Sequence, residues 1–212
     1  MMEFIKQPMA IERRSMELIV PYIEGLSLSE AEKKVYSRII HAAGDVEYAP
    51  IIRISETAVE EGIAALRGGA DIYTDVEMVR TGINKRKLAS FGGAVHCRIQ
   101  DPEIAAQAKA QGVTRSLAAM RSFGAALTGS VVAIGNAPTA LFEVLRLVRE
   151  EGVRPACIVG IPVGFVGAAD SKKALAENRL VPYITVEGTK GGSPIAAAAV
   201  NAMLYEIDNS RD

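Results

Sequence analysis

Tryptophan is absent from this 212-residue sequence, histidine and cysteine occur twice each, and 24 basic against 25 acidic side chains leave a formal net charge of −1. Each scarcity excludes something. A near-neutral balance removes the long-range field that draws proteins onto nucleic acid or anionic membranes. No window approaches the ~18 uninterrupted apolar residues of a membrane span. Met1 to Ala10, interrupted by Glu3, Lys6 and Pro8, lacks the apolar stretch of a signal peptide. The expectation is a cytoplasmic protein without nucleic-acid or membrane partners. Cys97 and Cys157 stand far apart in apolar runs, where a thiol behaves as a small hydrophobe, so no disulfide framework is expected. Two histidines and two cysteines without ligand spacing give no support to a metal site. Neither GxxxxGK[ST] nor GxGxxG after the first strand is present, nor a Gly-x-Ser-x-Gly elbow. Nucleotide chemistry and covalent catalysis lose their usual signatures.

What remains is a chain rich in Ala, Val, Ile and Leu, 49% apolar and 23% charged, of a length that suits one domain spanning residues 1–212. The first fifty residues read as helical. Ile11, Met16, Leu18, Ile19 and Ile23 fall roughly on one helical face, and Ser29 with Glu32 forms a capping-box pattern ahead of a second helix from Glu30 to about Ala43, stopped by Gly44. From Ile51 onward, β-branched runs alternate with amphipathic helices. Strands are expected at Ile51 to Ser55, Asp71 to Val76, Ala94 to Ile99, Ser130 to Gly135, Ala156 to Pro162 and Pro182 to Glu187. Helices are expected at Glu56 to Arg67, Pro102 to Gln111, Thr114 to Phe123, Pro138 to Glu151, Ser171 to Asn178 and Pro194 to Ile207. This alternation predicts an α/β fold on a mostly parallel sheet, preceded by an N-terminal helical segment.

Glycine-rich turns follow three strands, at Gly135 to Pro138, Pro162 to Gly167 and Glu187 to Pro194, and open α/β sheets bind ligands outside the carboxyl ends of their strands. Gly191 and Gly192, ahead of a helix start, suit an anion cradle, or else serve turn geometry alone. Asn136 and Thr139 stand at another helix start, as caps or ligand contacts. His41 lies in the last turn of its helix, with Arg38 three residues before it on the same face. The negative end of the helix dipole favours a cation there, whereas Arg38 opposes it. Taken alone, such a histidine reads as a solvated helix-end residue. His96, inside a strand run beside Cys97, reads as a core or loop histidine. Lys85 to Lys87 is a solvated face or a patch for anions, and Asp71, Asp75 and Glu77 are acid/base candidates or ordinary caps.

In combination, several of these segments are specific. Ser15, the run Arg38 to Asp45, Thr74 to Ile83, Gly135 to Leu141, Ile161 to Val166 and Gly188 to Pro194 together resemble the precorrin-8X methylmutase family of cobalamin biosynthesis, over almost the whole chain. The resemblance implies a flavodoxin-like three-layer α/β/α fold, a homodimer, and migration of a methyl group from C-11 to C-12 of a corrin precursor. It implies that His41 is the proton donor and acceptor, and that Ser15 and Arg38 contact substrate. Arg115, near a helix start, is a further candidate for the acetate and propionate rim of such a ligand. An intramolecular methyl migration requires no cofactor, methyl donor or protein-held metal. Partners implied are the tetrapyrrole substrate and product, a second copy of the chain, and neighbouring pathway enzymes for hand-over. A non-catalytic tetrapyrrole carrier and a phosphate-ligand enzyme using Gly188 to Pro194 are the competing readings.

Overall fold

The computed structural model describes residues 5–209. Residues 1–4, part of the segment read for a signal peptide, and residues 210–212 lie outside it. The helical segment forms α1 (Pro8–Ile23) and α2 (Glu30–Ala43), followed by a 3-10 turn over Val46–Ile51. Then come β1 (Ile52–Ile54), α3 (Ala58–Arg67), β2 (Ile72–Thr74), α4 (Glu77–Gly82), α5 (Lys85–Ala89) and β3 (Val95–His96). After these follow α6 (Pro102–Gln111), α7 (Arg115–Phe123), a second 3-10 turn, β4 (Val131–Ile134) and α8 (Pro138–Glu150). The chain finishes with β5 (Cys157–Gly160), α9 (Ala168–Glu177), β6 (Tyr183–Val186) and α10 (Ser193–Asn209).

The six strands lie in the order β1-β6-β5-β4-β2-β3. Strands β2 to β6 run parallel, in the 3-2-4-5-6 arrangement that is the flavodoxin-like order 2-1-3-4-5 with numbering shifted by one. The expected mostly parallel α/β sheet is therefore present, with one strand of opposite sense. β1 pairs antiparallel with β6, Ile52 opposite Val186 and Ile54 opposite Ile184. No crossover helix precedes it; the chain enters from the 3-10 turn at the carboxyl end of the other strands. That entry matters, because it brings the end of α2 to the same edge as the strand-end loops.

Helices cover both faces. On one, residues of α1 to α5 and α10 pack with Ile52, Val131, Ala133, Cys157 and Ile184. On the other, α7, α8 and α9 pack against Val132, Ile134 and Ile158. All eight residues of β4 and β5 are buried, as expected for central parallel strands whose side chains enter a core on either side. The capping box is present as read: the Ser29 hydroxyl accepts from the Glu32 amide at 3.3 Å and the Glu32 carboxylate accepts from the Ser29 amide at 2.7 Å. Gly44 closes α2 in the left-handed conformation, φ 62°, its N–H returning to the carbonyls of Ile40 and His41.

Local elements differ from expectation in two places. Lys85 to Lys87 is the solvated face expected, with Lys85 and Arg86 exposed, but it also forms the first turn of a short helix, α5, capped by Asn84, which was not expected. The third strand shrinks from six expected residues to Val95 and His96, because it is an edge strand with a neighbour on one side only.

Candidate active site

The carboxyl edge is assembled by a buried carboxylate. Asp75, directly after β2, accepts hydrogen bonds from the backbone N–H groups of Gly135 (3.0 Å), Asn136 (2.9 Å) and Ala137 (2.7 Å). Burial pushes its carboxyl up and the three N–H donors pull it back. β2 and β4 flank the point where the strand order reverses, the usual ligand crevice of an open α/β sheet. Asp75 occupies that crevice, so it is a scaffold group rather than a free acid or base. Gly135 is required beside it: a Cβ there would lie 2.7 Å from the Ser193 Cα.

The neighbouring loops are stitched together in the same way. The Gly192 N–H donates to the Ile161 carbonyl at 2.9 Å, and the Gly164 N–H to Thr189 at 3.2 Å. Gly191, at φ 152°, approaches so closely that a Cβ would stand 2.6 Å from the Ile161 carbonyl oxygen. The amide of Gly192 is thus committed internally, which favours turn geometry over the anion-cradle reading for that residue. Phe165 and Val166, between Gly164 and the start of α9, are 96% and 90% exposed.

His41 sits in the last turn of α2, exposed, its side chain making no hydrogen bond or ion pair to any described residue. The corner that follows it is fixed to the β6–α10 loop: the Lys190 ammonium donates to Asp45 at 2.6 Å and Glu47 at 2.9 Å and lies 5.5 Å from the centre of the Tyr48 ring. Those carboxylates hold the Lys190 ammonium well above its ordinary range, while Lys190 holds Asp45 low. Arg38, a turn before His41, donates to Glu12 of α1 at 2.6 Å and stands 5.3 Å from the Tyr205 ring of α10. Beside it, α1, α2 and α10 enclose a groove of about 610 Å³ with Met16, Val20, Ile23 and Ala202 in its wall. Ser15 is half-buried on α1, its hydroxyl donating to the Ile11 carbonyl at 2.9 Å.

Asn136, Thr139 and Arg115 form a second group. Thr139 shares a 2.7 Å hydrogen bond with Thr114, which caps α7 immediately before the exposed Arg115, and the Asn136 side chain is exposed at the start of α8. No hydrogen bond or ion pair among the described residues joins this group to His41, Arg38 or Ser15. The expected site residues therefore form two groups, on the α2 side and at the α7/α8 starts, with the Gly188 to Pro194 loop on the same sheet edge.

Other titratable candidates are accounted for elsewhere. His96 bonds Asp71 at 2.9 Å and stacks on Tyr73 with ring centres 4.9 Å apart. Glu77 is held low by Arg80, 2.7 Å away. Burial pushes the Cys97 thiol up to about 11 and the Cys157 thiol up to about 12, which leaves both poor nucleophiles near neutrality. Among the described residues, no group of three or more His, Cys, Asp or Glu side chains is arranged to hold a metal ion, and no helix is long and apolar enough to cross a membrane. Two residues escaped the sequence reading, Lys172 and Lys190. For Lys172 a signal existed: Ala168, Ser171, Lys172 and Leu175 share the buried stripe of α9.

Comparison with known proteins identifies the scaffold. The model of the precorrin-8X methylmutase family matches residues 10–206. The chain belongs to this family. Precorrin-8X methylmutase from a Sinorhizobium species is 44% identical over 202 residues, covering 95% of this chain and 96% of that protein. Cobalt-precorrin-8 methylmutase from Salmonella typhimurium is 41% identical over 212 residues, covering 97% and 99%. The crystal structure of precorrin-8x methyl mutase from Thermus thermophilus superimposes with a TM-score of 0.85 at 37% identity, covering 94% of this chain and 98% of that one. Relatives named precorrin-8X methylmutase and relatives named cobalt-precorrin-8 methylmutase are thus about equally similar to this chain.

Proposed function

We infer that this chain is a methylmutase of cobalamin biosynthesis, an isomerase that moves a methyl group from C-11 to C-12 of a corrin precursor, with His41 as proton donor and acceptor. The family supports the isomerase class, and the observation that carries the residue assignment is the placement of His41: exposed, without a hydrogen bond or ion pair to any described residue, and set at the carboxyl edge of the sheet. Proton delivery to a ring nitrogen draws electron density from the conjugated macrocycle. The C-11–methyl bond then breaks as the C-12–methyl bond forms, and the proton returns to the imidazole. An imidazole suits this task because it changes charge near neutral pH.

Arg38 and Arg115 offer guanidinium groups to the ligand's carboxylate rim, and Ser15, Asn136, Thr139 and Gly191 complete the proposed contact set. A cytoplasmic homodimer that hands its product to neighbouring pathway enzymes remains part of this reading. The exposed pair Phe165 and Val166 supports an apolar contact at the same edge. No structural feature favours a carrier or a phosphate-ligand enzyme. Incubation with metal-free precorrin-8 and, in parallel, with its cobalt complex tests the proposal by absorption spectroscopy. Conversion of either substrate is expected, and the faster one identifies the natural form; an unchanged spectrum with both, under conditions in which a Salmonella or Sinorhizobium relative turns over, refutes it.

A further inference from the structure

Two lysines outside the proposed contact set lie on either side of one peptide. Lys172, on α9, is 1% exposed, and its ammonium donates to the backbone carbonyl of Lys190 at 2.5 Å. The side chain of Lys190 leaves the opposite way, to Asp45 and Glu47. A buried ammonium costs free energy unless it is paired, and an apolar side chain would fill the α9 position without that cost. Desolvation indeed pulls the Lys172 ammonium down to about 8. The loop that it holds is the one fastened to β5 through Gly192 and Ile161. The corner held by Lys190 begins at Gly44, whose N–H bonds the carbonyl of His41 itself. Hydrogen bonds and the short covalent links between them, within Lys190 and from Asp45 to Gly44, therefore connect α9 through the β6–α10 loop to the terminal turn of α2.

We propose that Lys190, anchored by Lys172 through its own carbonyl, is a positioning residue for His41, fixing the end of α2 against the strand-end loops so that the imidazole meets the macrocycle at a set distance. The inference rests on the reading of His41 as the acid. It explains why a lysine is buried on α9 and why Asp45 and Glu47 both converge on one ammonium. Small displacements of a proton donor cost rate steeply, whereas ligand affinity, spread over many contacts, changes less.

The test compares the steady-state kinetics of Lys190→Met and Lys190→Arg, each in the wild-type and the His41→Asn background. Lys190→Met is expected to lower kcat by at least about tenfold with KM changed less than about twofold, and Lys190→Arg to recover most of that loss. In the His41→Asn background, Lys190→Met is expected to cost nothing further, because the group it positions is gone. Unchanged kcat in Lys190→Met, or the same fractional loss with and without His41, overturns the proposal. Asp45→Asn combined with Glu47→Gln keeps the shape of the clamp while removing both its carboxylate charges, and supplies the same comparison should Lys190→Met fail to fold. A failure of the His41 reading is separately visible, as near-normal turnover by His41→Asn alone.

Discussion

Arg38 and Glu12 are joined at 2.6 Å across α1 and α2, so the guanidinium expected to meet a ligand carboxylate already has a protein carboxylate as partner. Both side chains are more than a third exposed, and such pairs stabilise a fold by only about 0–1 kcal/mol. The consequence is competition. Glu12→Gln should leave the thermal midpoint nearly unchanged and tighten binding of a corrinoid product by about two- to fivefold, while Arg38→Ala weakens it. Titration of product into the two variants checks this; affinity unchanged in both removes Arg38 from the ligand contacts.

Asp75 predicts a stability effect at the site's foundation. Its carboxylate satisfies three N–H groups, those of Gly135 and Ala137 buried, and an amide nitrogen in place of one oxygen faces a donor rather than an acceptor. Asp75→Asn should destabilise by about 1–3 kcal/mol and Asp75→Ala by more, measured by chemical denaturation. Wild-type stability in Asp75→Ala contradicts the account of how the Gly135 to Ala137 turn is held.

Lys172 predicts a pH dependence with a definite sign. Its folded-state value of about 8 lies below the ordinary 10.5, so between those limits the unfolded chain binds the extra proton and stability rises with pH. The gain approaches about 3 kcal/mol across the window, since each tenfold weakening of proton affinity on folding corresponds to about 1.4 kcal/mol. Other lysines and tyrosines titrate too, so the measurement is the difference between wild type and Lys172→Met. That difference should move in favour of wild type from pH 7.5 to 10.5; a pH-independent difference shows that Lys172 is not desolvated.

The sequence carried the helix ends and strand runs well, because those signals are local. Ser29, Glu32 and Gly44 bound α2 within sixteen residues and so placed His41 in a last turn. The apolar runs of β4 and β5 announced central strands. The direction of β1 was not legible, since it depends on which edge the chain enters from and not on the composition of Ile52 to Ile54. The site's framework was hidden for a related reason. Asp75 meets Gly135 across 60 positions and Lys190 meets Asp45 across 145, and no spacing rule relates residues so far apart. An exposed lysine and a buried one also look alike in sequence unless the helical stripe is followed onto the charged residue, as at Lys172.

The central claim is the role of His41, and the most direct measurement is turnover of precorrin-8 by folded, purified His41→Asn alongside its affinity for product. Loss of general acid catalysis predicts a fall of about 10²–10⁴-fold in kcat with product affinity held within about threefold. Near-normal turnover by that protein would contradict the assignment of His41 as the acid.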